Sequence, residues 1–203
     1  MAEVYYRTAA LESIARDTLK RYNPNYLNYD PQPVPIEKII EDIFSLSIEY
    51  MRLTEAGDEL GRMICDTGFS TRFNVEKDSY ELVAVTEGTV LIESLLVNDP
   101  KAHGRYRFTL AHELGHWILH KHLYKGTGIA AASYGTDKLT DDSIEWQANY
   151  LAKAILMPVG QVKRGFHSMR GTGTNKHKIA ALAEVFEVSK QAMEYRLNEL
   201  GLV

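Results

Sequence analysis

The chain has 203 residues, 45% of them hydrophobic and 25% charged, which is enough apolar material for one large domain or one domain with a small appendage. A formal net charge of −4 counts against a dedicated nucleic-acid binder, whose usual footprint is a basic surface. The single cysteine, Cys65, excludes an intrachain disulfide and any site built from cysteine pairs, so a zinc site must use histidine and carboxylate.

Residues 1–7 lack the basic region and apolar run of a signal peptide, and no segment is long and apolar enough to span a membrane; a cytoplasmic chain is expected. A first helix is predicted near residues 8–22, where Leu11, Ile14, Ala15, Thr18 and Leu19 recur at helical spacing. Asn23-Pro24-Asn25 ends it. Tyr22, Tyr26, Tyr29, Pro31, Pro33 and Pro35 then suit either a grip on an extended peptide or, more commonly, the packing of one helix on the next. Pro35 opens a second helix with Ile36, Ile39, Ile40 and Ile43 on its apolar face.

Short alternating runs at 47–51, 61–65, 71–75 and 81–85 read as strands, and 90–97 is ambiguous between strand and short helix. They predict a small, mostly antiparallel sheet that walls a cleft, with an edge on which an extended substrate backbone can pair. Gly104 to His122 is a helix. Residues 126–140 read as a mobile, lid-like loop. The helix that follows runs from about Ser143 to Met157, capped by Asp141 or Asp142 and ended by Pro158. Residues 168–178 form a basic linker, and two short helices near 179–186 and 189–200 close the sequence.

The informative stretch is His112-Glu113-Leu114-Gly115-His116, an H-E-x-x-H motif. Residues four apart on a helix face the same way, so the imidazoles of His112 and His116 close on one metal ion. Glu113 is rotated by about 60° from His116, which puts its carboxylate beside the metal, where a bound water sits. That is the arrangement for a metal-activated water with Glu113 as general base. Two incidental core histidines are the bland alternative, and burying them with a glutamate is costly without a shared partner.

A catalytic zinc needs a third protein ligand and an open position. His122 has the spacing of the H-E-x-x-H-x-x-G-x-x-H pattern, but that pattern needs glycine where Leu119 stands, because the helix must turn there. Glu145, on the next helix, enters the site if the two helices run antiparallel, which gives a His2Glu set. Asn149, four residues on, shares its stripe and can accept the distal N–H of a metal-bound histidine. Asp137, Asp141 and Asp142 are further carboxylates near the helix start, where capping is the usual role.

The run from Arg107 to His120, with Glu145-Trp146-Gln147-Ala148-Asn149 and Leu156-Met157-Pro158, resembles the ImmA/IrrE family of metallopeptidases. Residues 33–40 are similar to a helix of that family, and the likeness covers residues 30–160. The resemblance implies metal ligands His112, His116 and Glu145, a catalytic Glu113, and Asn149 as part of the family's E-x-x-A-N pattern. It implies a zinc-dependent protease with a gluzincin-like core that cleaves or inactivates helix-turn-helix repressors, hence a regulatory protease. Mn2+ or Fe2+ are alternatives to zinc. Two histidines and a carboxylate also suit a non-heme iron site, though Glu113 beside the water speaks for hydrolysis.

Residues 179–202 resemble a helix-turn-helix, with Ser189 capping the second helix and Arg196 lying on it. Seven Lys/Arg against four Glu in 161–203 leave a formal excess of three positive charges, short of a DNA footprint. Glu194 and Glu199 meet phosphates badly, so a scaffold or repressor-docking role is favoured over DNA binding. The expected fold is α+β: a helical metallopeptidase domain with a small, mostly antiparallel sheet in residues 1–160, then a short helical appendage in 161–203. The alternative function is a non-proteolytic, metal-containing regulator that binds a repressor or DNA.

Overall fold

Helix α4 runs from His103 to Tyr124, and no residue between Arg107 and His120 is exposed. A helix covered on every face lies at the centre of its domain. The structure is a computed structural model that describes residues 5–97, 99–125, 131–132, 141–169, 171 and 173–203. The architecture is mixed α+β, with helices around α4 and small sheets on one side of it.

Helix α1, Thr8–Tyr22, buries Leu11, Ala15, Thr18 and Leu19, the face expected from their spacing, and packs against α5, Asp141–Leu156. The tyrosine- and proline-rich stretch that follows is packing material. Tyr26 is buried, its hydroxyl donates to Pro33 O at 3.0 Å, and its ring meets Tyr22 and Tyr29 edge-on. The guanidinium of Arg107 donates to Val34 O at 2.7 Å, which ties this stretch to α4. Helix α2, Ile36–Lys38, continues into a wider π-type turn over Ile39–Ile43 and buries Ile36, Ile39 and Ile40.

The predicted strands form at β1 (Ser47–Met51), β2 (Gly61–Ile64), β3 (Gly68–Asn74), β4 (Ser79–Val85) and β5 (Thr89–Glu93), but they divide into two sheets. One has the order β1-β5-β2-β6, where β6 is Ala131–Ala132; the other is the β3–β4 hairpin. Both β2–β5 and β2–β6 are antiparallel, whereas β1 and β5 pair in parallel, Ser47 beside Thr89 and Met51 beside Glu93. Arg62 joins the sheets: it pairs with Glu59 and reaches Ser70 Oγ and Thr71 O on β3. The ambiguous stretch 90–97 is both things in turn, because the buried Glu93 carboxylate accepts from Leu53 N and Leu95 N and so ends β5 as α3, Ser94–Val97, begins. Apart from β6, the predicted lid over 126–140 lies outside the described residues.

Pro158 ends α5 and also starts α6, Val159–Ser168, a stretch to which the sequence reading assigned no element. Proline favours the first turn of a helix as much as it stops one. Gln161 and Arg164 on α6 donate to Tyr26 O, Leu27 O and Tyr29 O. Helices α7 (Asn175–Phe186) and α8 (Lys190–Glu199) start on the capping hydroxyls of Thr174 and Ser189. Val162, Phe166, Leu182, Phe186, Met193 and Leu197 join the core that contains Leu11, Leu110 and Leu151, so side chains before and after residue 160 share one interior.

Arg196 points into that interior. It is fully buried, holds Glu12 with both terminal nitrogens at 2.6 and 3.1 Å, and donates from Nε to Met157 O. Arg196, expected on the second helix of the helix-turn-helix-like segment, is therefore a clasp between α8, α1 and the end of α5, out of reach of a phosphate.

Candidate metal centre

The site begins with a close approach of two helices. A Cβ at Gly115 on α4 would lie 3.1 Å from Ala148 O and 3.2 Å from Ala148 Cα on α5, so only glycine admits α5 at this distance. From that crossing His116 meets Glu145 and His112 meets Asn149, the register of antiparallel helices. His122 stays on the continuing helix and is exposed; Leu119 is buried within it and makes no turn. Asp137 lies outside the described residues, and α5 begins at Asp141.

Three donors converge. The Nε2 atoms of His112 and His116 are 2.9 Å apart, and each is 3.1 Å from an oxygen of Glu145. Among the described residues His112, His116 and Glu145 form the cluster of ligand atoms able to share one ion. Asn149 Oδ1 lies 3.1 Å from His112 Nδ1 and accepts its hydrogen, which turns Nε2 toward His116 and Glu145. Two neutral imidazoles and a carboxylate facing one another in this way would each offer a lone pair to a cation among them. Metal bonds of about 2.0–2.1 Å place tetrahedral donors about 3.3 Å apart, close to the separations here, so this donor set fits a divalent ion.

The electrostatics agree. Burial alone would raise the Glu145 carboxyl, but the imidazoles of His112 and His116 outweigh it and bring it down to about 2. Burial likewise pulls His112 down, and the carboxylates of Glu145 and Glu113 carry it above its ordinary value instead. Glu113 is enclosed, and burial holds it above the usual carboxylate range against the opposing pull of the two histidines. Its Oε2 has no hydrogen-bond partner among the described residues. A carboxylate that is dry, unpartnered and raised is poised to accept a proton.

Two further neighbours border the site. Gly61 opens β2 directly over Glu113: a Cβ there would fall 2.9 Å from Glu113 Oε1, 3.0 Å from its Cγ and 2.5 Å from Thr109 Cγ2. His120 places Nδ1 3.2 Å from His116 Nδ1 and is itself buried. Burial, reinforced by the ring of His116, lowers His120 to about 3, which makes it a neutral imidazole. Tyr150 gives its hydroxyl to Glu12, and His167 and His177 are exposed on α6 and α7.

No described helix is long and apolar enough to cross a membrane. No curated protein is significantly similar to the chain. A solved structure described as a Mycobacterium tuberculosis transcriptional regulator aligns over 95% of this chain at 13% identity and a TM-score of 0.47; the chain spans 56% of that structure's length. A family model does match, that of the IrrE N-terminal-like domain, over residues 64–198, which takes in α4, α5 and the whole donor cluster. The chain belongs to this peptidase family, Peptidase_M78.

Proposed function

We propose that this chain is a zinc-dependent metalloendopeptidase acting as a regulatory protease on a protein substrate, a helix-turn-helix transcriptional repressor. The observation that carries the proposal is the convergence of His112, His116 and Glu145 at 2.9–3.1 Å with the enclosed Glu113 one residue along the same helix. Two imidazoles and a carboxylate are the donor set of hydrolytic zinc sites, and Glu113 suits hydrolysis better than iron chemistry. The choice of repressor as substrate rests on the resemblance of residues 107–158 to ImmA/IrrE proteins, with residues 161–203 as scaffold and docking appendage to a 1–160 catalytic unit.

In this reading His112, His116 and Glu145 hold the ion, and Asn149 fixes the ring of His112 through its Nδ1 hydrogen. A zinc ion bound there supplies Lewis acidity and a water whose pKa is lowered to about 7. The Glu113 carboxylate, enclosed beside those ligands, would serve as the general base that takes up a proton from the attacking water and returns it to the departing amine. The walls of α4, α5 and β2 keep bulk water from the carboxylate, which preserves its basicity.

The deciding measurement is metal content of the wild type, Glu145→Ala and His122→Ala purified side by side. The wild type and His122→Ala carry stoichiometric zinc and Glu145→Ala is empty. If His122→Ala is the protein that empties, the His2Glu assignment is wrong. If none of the three takes up supplied zinc, the peptidase reading fails, and a non-proteolytic regulator replaces it.

Gly61 gives a second check. Gly61→Ala pushes a methyl group against Glu113 while leaving the ligands untouched. Zinc content stays at the wild-type level and cleavage falls about a hundredfold, the usual cost of displacing a reacting group by about 1 Å. Unchanged turnover in a folded Gly61→Ala protein would mean that Glu113 has room to spare and that β2 does not position it.

A further inference from the structure

We infer that His120 is a positioning residue for the metal centre: by accepting the Nδ1 hydrogen of His116, it fixes which nitrogen of His116 faces the ion. The inference rests on the metallopeptidase reading and extends it to a residue outside the H-E-x-x-H set.

His112, His116 and His120 are spaced by four, so their rings stack along one stripe of α4 with centroids 4.6 and 5.3 Å apart. An imidazole that offers a bare Nε2 to a metal carries its hydrogen on Nδ1, and inside a protein that hydrogen needs an acceptor. His112 has one in Asn149 Oδ1. His116, 3% exposed, has the Nδ1 of His120 at 3.2 Å. If His120 accepts there, its own hydrogen must sit on Nε2, and His120 Nε2 is buried with no partner among the described residues. A buried donor left unpaired is destabilising. A histidine kept only to fill space would incur that cost for nothing, since an aliphatic side chain fills space without it. The arrangement makes sense if the useful atom is Nδ1.

Zinc affinity, measured by competition with a chromogenic chelator, tests this on three proteins: wild type, His120→Leu and His120→Asn. Leucine keeps bulk and removes the acceptor, whereas the asparagine Oδ1 falls near the position of the lost Nδ1. The expected result is zinc binding weakened 10- to 100-fold in His120→Leu, the usual effect of removing the partner of a ligating histidine, and restored to within about threefold of wild type in His120→Asn. Nitrogen-15 spectra of the metal-free proteins should show the Nδ1–H tautomer of His116 in the wild type and His120→Asn, and a tautomer mixture in His120→Leu.

His120→Leu that binds zinc as tightly as wild type overturns the inference, as does His120→Asn that binds as weakly as His120→Leu. If His120→Leu does not fold, the affinity and His116 tautomer of His120→Asn decide in the same way. A wild type that takes up no zinc overturns the metallopeptidase reading and this inference with it; a wild type that binds zinc confines any failure to His120.

Discussion

Glu113→Gln is expected to retain stoichiometric zinc and the wild-type melting profile while losing cleavage by roughly a hundred- to ten-thousandfold, the contribution of a well-placed general base. Glutamine matches glutamate in size, so the close packing against Gly61 survives. It removes the proton acceptor and nothing else, because Glu113 makes no hydrogen bond through Oε2 that the substitution would break. The loss belongs in kcat, since the carboxylate works on the attacking water and not on the docking of the substrate. The measurement is intact-mass analysis of cleavage on a panel of purified helix-turn-helix repressors, with unfolded casein alongside. A fully active Glu113→Gln enzyme sinks the mechanism. Efficient turnover of casein by the wild type sinks the regulatory reading and leaves the chemistry standing.

The second large effect concerns stability. Arg196→Ala should destabilise the fold by about 3 kcal/mol, the lower end of the range for breaking a buried ion pair, because Arg196 is fully buried whereas Glu12 is partly exposed. Three elements lose contact at once: Glu12 on α1 loses both guanidinium bonds, Met157 O at the end of α5 loses its donor, and α8 loses its anchor. In a chain of this size such a loss lowers the melting temperature by roughly 10 °C. Arg196→Met paired with Glu12→Leu should recover much of the deficit, because a buried ion pair replaced on both sides by apolar groups is often neutral or better. Chemical denaturation of the single and double variants measures both. A change of less than about 1 kcal/mol in Arg196→Ala would mean a solvated side chain, and α8 would then be available for phosphate contacts after all.

Features that local periodicity encodes were legible in the sequence. The apolar spacing of α1, the short strand runs of β1 to β4 and the histidines four apart on α4 each state an element within a dozen residues. The facing of Glu145 and Asn149 toward the motif was legible as well, because the two lie four apart on the next helix, which can run antiparallel to α4. What long-range pairing decides was hidden. Nothing in Ser47–Met51 announces a parallel partner more than forty residues away, and nothing in Gly68–Asn74 announces a separate hairpin. Pro158 gives the same local signal for the end of α5 and the start of α6. Gly61 reads only as the first residue of a strand until β2 is laid over Glu113, and Arg196 reads only as a residue of the last helix until Glu12, far back in the chain, is found opposite it. His120 was visible only as a third histidine of a series, since a tautomer has no sequence signature.

The contact of Gly115 with Ala148 has a consequence for how this centre tolerates change. Backbone touches backbone there, so the two helices mesh like a key and its slot: a slide of one turn would drive a side chain into a main chain. The alignment of Glu145 and Asn149 with the histidines is therefore set at the crossing and not by the connection between Tyr124 and Asp141. Doubling the length of a flexible connection costs only about 0.6 kcal/mol in closure entropy. A longer connection would therefore cost the donors little, whereas a methyl group at Gly115 would press on Ala148 and force α5, which carries Glu145 and Asn149, to give way.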